Sequence, residues 1–199
     1  MTAVQVRRAA ATDGAVIASA FADAFAHDPV FCWMAGQSDC ERRMRPFWRA
    51  FTRLELAKPD HEVFVSEDGT SVALWKGVDR WKATPMEMVR VLPAMGAALR
   101  TRVPLGLRLL TAMEKAHPSE PHYYLEALGT RRDRQGKGGG SAVIDAMLQR
   151  CDADGVPAYL ESSNPRNIAF YVRHGFVETG IIEAPKGGPK LTPMWREPR

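Results

Sequence analysis

The sequence predicts an α/β protein built from packed layers of helices and strands. Two observations carry this prediction: the second half of the chain alternates between strand-like and helical patterns, and the first half contains a strand pair around an Asp-Gly turn. Alternation of this kind is typical of layered α/β folds. Of the 199 residues, 45% are hydrophobic and 25% are charged, so we expect one globular domain over 1–199.

The first expected elements are a short strand and a helix. An alternating pattern at 4–7 predicts the strand. Thr12 or Asp13 can cap the helix that follows, because either side chain can accept a hydrogen bond from a free N–H at a helix start. Apolar residues recur at helical spacing over 16–25, and Pro29 ends the helix because the residue before a proline leaves the helical region.

The rest of the first half is expected to hold a loop, a helix, a hairpin and a further helical segment. Asp-Gly between two strand-like runs is a strong hairpin signal. The last segment is interrupted by Pro93 and Pro104, which suggests two helices with a break between them. The loop, the helix, the two hairpin strands and the helical segment are expected at 31–40, 41–57, 62–66, 71–75 and 81–116.

The second half follows a strand and helix alternation with clear punctuation. Asp154-Gly155 is a good helix stop, and Gly175 supplies a left-handed cap after His174. The expected order is a strand at 123–128, a helix at 142–150, a strand at 158–162, a short helix at 164–174, and strands at 176–183 and 191–196.

Charge, cysteines and hydropathy limit the class of protein. The net charge is +4, from 27 Lys and Arg against 23 Asp and Glu, and no basic stripe is interleaved with aromatics, so we expect no nucleic-acid partner. Cys32, Cys40 and Cys151 are odd in number and have no paired spacing, which argues against disulfides and against a zinc site. Neither a signal-peptide core nor a membrane-length apolar run occurs, so we expect a cytoplasmic protein without a membrane partner, either a monomer or a homodimer.

A glycine-rich loop lies between the strand at 123–128 and the helix at 142–150. Its sequence is Gln135-Gly136-Lys137-Gly138-Gly139-Gly140-Ser141. Residues without a Cβ atom let backbone N–H groups approach an anion closely, and the positive end of the helix dipole then faces that anion. The loop therefore predicts a site for phosphate groups.

The spacing of the glycines excludes two common nucleotide motifs. The P-loop pattern fails because Gly129 is too far from Gly136-Lys137 and no Ser or Thr follows the lysine. The dinucleotide pattern Gly-x-Gly-x-x-Gly fails from Gly136 and from Gly138. The pattern that fits is Gln-x-x-Gly-x-Gly, at Gln135, Gly138 and Gly140.

A second motif stands one helix and one strand further along the chain. It contains Asn164-Pro165-Arg166-Asn167, then Tyr171 and the pair Gly175-Phe176. The two motifs in this order resemble the acetyl-CoA-binding half of the GNAT superfamily of N-acetyltransferases. The resemblance implies a mixed, mostly antiparallel central sheet flanked by helices and splayed at the acetyl-CoA site. Within the superfamily, the chain is most similar to the puromycin N-acetyltransferase type, through 21–25, 135–138, 155–158 and 160–167.

The resemblance also implies which residues hold acetyl-CoA. Leu128, Gly129 and Thr130 would pair with the pantetheine arm like an added strand, and Asn167 would hydrogen-bond that arm. The loop Gln135, Gly136, Lys137, Gly138, Gly139, Gly140 and Ser141 would hold the pyrophosphate, with Arg131, Arg132 and Lys137 as candidates for the remaining phosphate charge. Gly139 replaces an aliphatic residue of the family, and we expect a small loss of core packing there.

Three residues are candidates for the chemistry. Tyr171 is the expected general acid, since a phenol can donate a proton to a departing thiolate. Glu126 and Glu161 are alternative bases, and solvent is the third possibility. The resemblance favours Glu126, because several GNAT enzymes use a glutamate on that strand. Glu126 is two residues before Leu128, so the two side chains are expected on one face of the strand. His27, Asp28, His122 and His174 are weaker candidates.

Together these features predict an acetyl-CoA-dependent N-acetyltransferase that needs no metal. The expected acceptor is a primary amine of a small molecule, attacking directly in a ternary complex. Acetylation of a protein lysine or N-terminus is an alternative, and so is a non-catalytic acyl-CoA-binding module. We expect 122–199 to bind acetyl-CoA and 1–121 to shape the acceptor pocket, with 81–116 as a helical insertion.

Overall fold

The computed structural model describes residues 4–36 and 39–199, and within these ranges eight strands and seven α-helices are assigned. The strands are β1 (Val6–Arg8), β2 (His61–Ser66), β3 (Ser71–Lys76), β4 (Tyr123–Thr130), β5 (Ala158–Ser162), β6 (Val177–Glu178), β7 (Ile182–Glu183) and β8 (Lys190–Arg196). The helices are α1 (Gly14–Ala24), α2 (Pro29–Ala35), α3 (Cys40–Leu56), α4 (Pro85–Leu99), α5 (Val103–Ala116), α6 (Gly139–Asp154) and α7 (Ile168–Arg173).

One sheet organises the fold. Its order is β1-β2-β3-β4-β5-β8-β6, and β7 pairs with β8 off this path. Every described pairing is antiparallel except that of β4 with β5, which is parallel. The expected mixed and mostly antiparallel sheet is confirmed.

Helices cover both faces of the sheet. On one face, α1, α3 and α4 enclose a cluster around Phe21, Trp48 and Leu74. On the other face, α6 and the segment around α7 enclose a second cluster with Trp75, Ile144 and Phe176, which also contains the buried Cys151. Burial of these large apolar side chains supplies the main free energy of folding.

The expected loop at 31–40 is wrong over much of its length, because α2 occupies Pro29–Ala35. Residues 37 and 38 of that range lie outside the described residues. Asp28 caps the helix by accepting hydrogen bonds from the N–H groups of Val30 (2.9 Å) and Phe31 (3.0 Å). Proline is favoured at the first helical position, where no N–H is needed. Pro29 therefore starts a helix, and α1 has already ended at Ala24.

The expected cap of the first helix is also wrong. The helical path begins with a 3₁₀ turn at Ala11–Asp13, and neither Thr12 nor Asp13 caps α1 through its side chain. The Asp13 carboxylate instead accepts hydrogen bonds from the N–H of Ala10 (2.7 Å) and from the guanidinium of Arg7 (2.7 Å). This ion pair lowers the pKa of Asp13 to about 2.

The helical segment and the last strands differ from expectation in their boundaries. Two helices do form, but they separate at Arg100, whose φ is +52°, while Pro93 lies inside α4. The strand expected at 176–183 is two short strands, β6 and β7, which both pair with β8. The hairpin, α3, β4, β5 and β8 lie where the sequence predicts them.

Within residues 4–36 and 39–199, no single helix is long and apolar enough to cross a membrane. The pair Ala11–Ala24 and Pro29–Ala35 meets that test only when both helices are counted together, and they are bent by 93°.

Candidate active site

The sheet opens between β4 and β5. Their register pairs are Tyr123 with Ala158, Tyr124 with Tyr159 and Leu125 with Leu160. Beyond these, the described chain has no pairing between the two strands, although β4 continues to Thr130. A strand edge without a neighbour presents N–H and C=O groups to a ligand. The backbone of Leu128, Gly129 and Thr130, predicted to hold the pantetheine arm, lies on this segment.

A β-bulge at Glu126 changes the direction of the neighbouring side chains. The register of β3 with β4 passes from Trp75 opposite Leu125 to Leu74 opposite Ala127, so Glu126 has no opposite residue. An extra residue of this kind interrupts the alternation of a strand. The expectation that Glu126 and Leu128 share a face is therefore wrong: Leu128 packs on the α6 side, whereas Glu126 contacts Lys76.

The glycine loop has the backbone shape of an anion site. Gly136 (φ +73°) and Gly138 (φ +85°) both adopt left-handed conformations, which side chains rarely adopt. Gly138 is the N-cap of α6, so the first N–H groups of that helix are free of intrahelical partners. The Gln135 side chain donates to the carbonyl of Thr130 (3.1 Å) and thereby ties the loop to the end of β4. These residues fit a pyrophosphate, whose charge would face the helix N-terminus.

Gly139 packs differently from the expectation. A Cβ atom at Gly139 would overlap the hydroxyl oxygen of Ser71 and lie 3.1 Å from the Ser71 Cβ. Ser71 in turn hydrogen-bonds Thr130 (3.0 Å between the hydroxyl oxygens). The space of an aliphatic side chain is thus filled from β3, and the expected loss of core packing is wrong.

The three basic residues expected to neutralise phosphate already have partners in the protein. The guanidinium of Arg131 lies 3.4 Å from a carboxylate oxygen of Asp133. The guanidinium of Arg132 contacts Asp23 (2.9 Å), Glu41 (3.1 Å) and His27 (2.8 Å). The Lys137 ammonium donates to the carbonyl of Asp133 (3.0 Å). Arg132 is consequently balanced by two carboxylates, which weakens the expectation that it neutralises a phosphate.

A cavity of about 270 Å³ lies beside the opening between β4 and β5, on the face of the sheet that is covered by α2 to α5. Most of its wall is aromatic or aliphatic and comes from α2, α3, α4 and α5, with Phe25 beyond the end of α1. Its polar wall contains the three predicted catalytic residues and the predicted pantetheine contact, namely Glu126, Glu161, Tyr171 and Asn167. The structure thus brings together side chains that the sequence places on three separate elements.

Glu126 belongs to a buried ion pair. Its Oε1 lies 2.7 Å from the Nζ of Lys76, which also donates to the carbonyl of Trp81 (3.1 Å). Its Oε2 has no hydrogen-bond partner among the described residues. Burial raises the pKa of Glu126, Lys76 opposes that rise, and the nearby Glu55 adds to it. Lys76 was not predicted, because nothing local in the sequence distinguishes it from a solvated strand lysine.

Glu161 has one hydrogen-bond partner and one histidine nearby. Its Oε2 accepts a hydrogen bond from the hydroxyl of Tyr124 (2.7 Å). Its Oε1 lies 3.4 Å from Nδ1 of His117 but has no hydrogen-bond partner among the described residues. The Glu161 side chain is only 1% exposed. Tyr124 and His117 were also missed by sequence reasoning, since neither belongs to a recognisable motif.

Tyr171 lies in α7, four residues after Asn167, and is 7% exposed. Burial raises the pKa of its phenol, and the negative charge of Asp28 raises it further. Asp28 itself is buried and accepts a hydrogen bond from Ser163 at the end of β5 (2.5 Å). Asp28 was named from the sequence only as a weaker candidate for the chemistry.

No group of three metal-ligating side chains occurs among the residues that the structure describes.

Comparison with known proteins identifies the family. The model of the acetyltransferase (GNAT) family matches residues 22–176. An uncharacterised N-acetyltransferase of Schizosaccharomyces pombe is 37% identical over 78 residues, which are 38% of this chain and 32% of that protein, so the chain spans about a third of that relative.

Two solved acetyltransferase structures share the fold of this chain over nearly its whole length. A histone acetyltransferase HPA2 and related acetyltransferase from Corynebacterium glutamicum has a TM-score of 0.71 at 27% identity, covering 100% of this chain and 98% of that one. The PaiA N-acetyltransferase of Thermoplasma acidophilum, solved with coenzyme A, has a TM-score of 0.58 at 10% identity and shares the fold over 98% of this chain and 99% of its own. The chain belongs to the GNAT acetyltransferase family.

Proposed function

We propose that this protein transfers an acetyl group from acetyl-CoA to the primary amine of a small molecule with an apolar body. The observation that carries the proposal is the cavity itself. Its apolar wall meets Glu126, Glu161 and Tyr171 at the opening between β4 and β5. A mostly apolar pocket with a few convergent polar groups is the usual form of a small-molecule site.

The donor would be held by backbone and loop groups. The open edge of Leu128, Gly129 and Thr130 would pair with the pantetheine arm, and the loop from Gln135 to Ser141 would hold the pyrophosphate. When bound, acetyl-CoA supplies the thioester whose carbonyl carbon the amine attacks. Asn167 lies on the cavity wall and would hydrogen-bond the arm.

The residues of this chain would move two protons. An acceptor amine enters charged, and a carboxylate must take one proton before the nitrogen can attack. Glu161 and Glu126 both line the cavity, but Glu126 is already paired with Lys76, which favours Glu161 as the base. Tyr171 would give its proton to the leaving sulfur, and its raised pKa keeps it protonated at neutral pH.

The shape of the cavity supports a compact apolar acceptor. Its wall contains Phe31, Phe47, Trp48 and Phe51 from α2 and α3, together with methionines from four helices. Burial of an aromatic or aliphatic substrate against these side chains stabilises the complex by about 25 cal/mol per Å² of apolar surface removed from water.

A panel of amines tests the proposal. Release of free thiol from acetyl-CoA is measured with phenethylamine and with ethylamine, which differ only in the phenyl group. We expect kcat/KM to be at least about tenfold higher for phenethylamine, from burial of the ring.

Two other results would contradict the proposal. Acetylation of a lysine peptide, with no reaction of any amine, would instead support a protein acetyltransferase. Binding of acetyl-CoA without thiol release from any acceptor would support a non-catalytic module.

A further inference from the structure

A chain of polar contacts leads away from the cavity behind Glu161. The Oε1 of Glu161 lies 3.4 Å from Nδ1 of His117. The Nε2 of His117 lies 3.0 Å from Nε2 of His122, and the Nδ1 of His122 lies 2.6 Å from the carbonyl oxygen of Glu120. The contacts therefore run from a carboxylate on the cavity wall, through two imidazoles, to a backbone carbonyl.

The carbonyl determines where the protons lie. A carbonyl oxygen can only accept, so Nδ1 of His122 carries the proton of that contact. Burial lowers the pKa of His122, which keeps it neutral, and its Nε2 must then be an acceptor. The proton between the two rings accordingly belongs to Nε2 of His117. The remaining nitrogen of His117 faces Glu161, where a lone pair would be repelled by the carboxylate and an N–H would be attracted.

The surroundings of His117 favour a positive charge. His117 directly follows the last residue of α5, where the negative end of the helix dipole stabilises cations. The indole of Trp81 stacks on the imidazole, with 3.7 Å between ring centroids and 20° between the planes. The side chain is 2% exposed, so water does not compete for these contacts.

Other groups around His117 and His122 do not compete for the protons of these two rings. The titratable and charged groups that face the two histidines, or lie just beyond them, are Tyr124 on β4, Tyr159 and Glu161 on β5, Asp79 before α4, and the Lys76 and Glu126 pair. Burial raises the pKa of both tyrosines, which therefore stay neutral. The Lys76 and Glu126 charges compensate each other.

We propose that His117 is a positioning residue for Glu161, and that the two side chains together store one proton. The inference rests on the proposed acetyl transfer. The pair is ready for catalysis once the stored proton has left, since a carboxylate and an imidazole lone pair then face each other and attract a proton strongly. One N–H bond of the acceptor amine breaks as the O–H bond of Glu161 forms. The transferred proton then lies between Glu161 and His117. Tyr171 gives its own proton to the departing sulfur, and the second N–H proton of the acceptor, lost as the amide forms, restores the phenol. The stored proton then leaves Glu161 for the water that refills the cavity after product release.

The contact chain is a store and not an exit path, because it ends in a carbonyl that cannot accept a proton for onward transfer. This arrangement also gives the segment 81–116 a role. Trp81 stands before α4 and His117 after α5, and both meet at the back of Glu161.

Nitrogen-15 spectra of the histidines in the full chain test the stored proton without turnover. We expect both ring nitrogens of His117 to be protonated at neutral pH. In Glu161→Gln we expect the Nδ1 resonance of His117 to change at unchanged pH, because the carboxylate that attracts its proton has been removed. A His117 ring with a single protonated nitrogen at neutral pH would overturn the proposal.

Kinetics of His117→Gln test the positioning role. We expect kcat/KM for the amine to fall by about tenfold to a hundredfold and the acidic limb of its pH profile to move to lower pH, with KM for acetyl-CoA unchanged. Arg150→Gln is the control, because Arg150 pairs with Glu62 (2.8 Å) outside the cavity and its loss should leave both the rate and the profile unchanged. An unaltered acidic limb in His117→Gln would overturn the positioning role. A wild-type protein that acetylates no amine, yet shows the doubly protonated His117, would contradict the proposed function while supporting the proton store.

Discussion

At the scale of single residues, burial and the nearest charge decide what each polar group of the site can do. Tyr171 is buried beside Asp28, so its phenol retains its proton and can only donate. Glu126 is neutralised by Lys76, whereas Glu161 accepts a hydrogen bond from a phenol and lies 3.4 Å from an imidazole nitrogen. Two carboxylates on neighbouring strands thus have different chemistry, although the sequence presents them as equivalent.

Tyr171→Phe tests the phenol as proton donor. We expect kcat to fall by about tenfold to a hundredfold, because one positioned proton donor is lost. The loss should be uniform between about pH 6 and pH 9, since a phenol whose pKa is raised above its usual value near 10 stays protonated throughout that range. Acetyl-CoA affinity, measured by calorimetry, should be retained.

Tyr123→Phe is the matched control for this substitution. The Tyr123 hydroxyl donates to Asp154 (2.7 Å), away from the cavity wall. Its removal should leave kcat unchanged. Equal turnover in Tyr171→Phe and in the native protein would remove Tyr171 from the mechanism.

At the scale of elements, the sequence predicts those that local signals delimit. The hairpin turns at Asp68-Gly69, α6 ends at Asp154-Gly155 and α3 carries a strong apolar periodicity, and the three elements lie close to their predicted positions. The helix α2 was missed because Asp28-Pro29 was interpreted as a stop and not as a cap followed by a first helical residue. An Asp-Pro dipeptide is compatible with the end of one helix and with the start of the next, and only the packing of the folded chain distinguishes the two.

The same distinction applies to the candidate site. The glycine loop and the Asn167 to Tyr171 spacing are contiguous motifs, so sequence reasoning could find them. Lys76 and His117 enter the site only because β3 and the end of α5 lie beside β4 and β5. Their partners are distant along the chain, and a single sequence contains no signal for such pairs.

The contact between α6 and β3 gives a prediction about Gly139. In Gly139→Ala the new methyl group would overlap Ser71, so we expect the free energy of unfolding to fall by about 1–3 kcal/mol, as for other overpacked sites. The double variant Gly139→Ala with Ser71→Gly removes the overlapping side chain. Urea denaturation should then show a favourable coupling between the two changes of at least about 0.5 kcal/mol. Strictly additive losses would contradict the close contact.

At the scale of the whole molecule, the sheet joins two halves with different tasks. Residues of α2 to α5 line the cavity from one side of the opening, and the glycine loop and α6 lie on the other. The strand β4 belongs to both, because its edge is open toward β5 and its bulge directs Glu126 toward the cavity. A ligand that fills the open edge should therefore stabilise the native state as a whole.

Coenzyme A should raise the melting temperature of the protein by binding, through its pyrophosphate, at the N-terminus of α6. A ligand at 100 times its Kd stabilises the native state by about 2.7 kcal/mol, which is a shift of about 5–10 °C for a chain of this size.

Gly138 and Gly155 cap the two ends of α6, both have positive φ, and a Cβ atom at either would meet no neighbour within 4 Å. Alanine at either position should cost about 1 kcal/mol of stability through backbone strain. Only Gly138→Ala should also reduce the shift with coenzyme A, because only that cap shapes the predicted pyrophosphate loop. Equal shifts in the two variants, measured by differential scanning calorimetry at matched ligand concentration, would contradict a phosphate site at the N-terminus of α6.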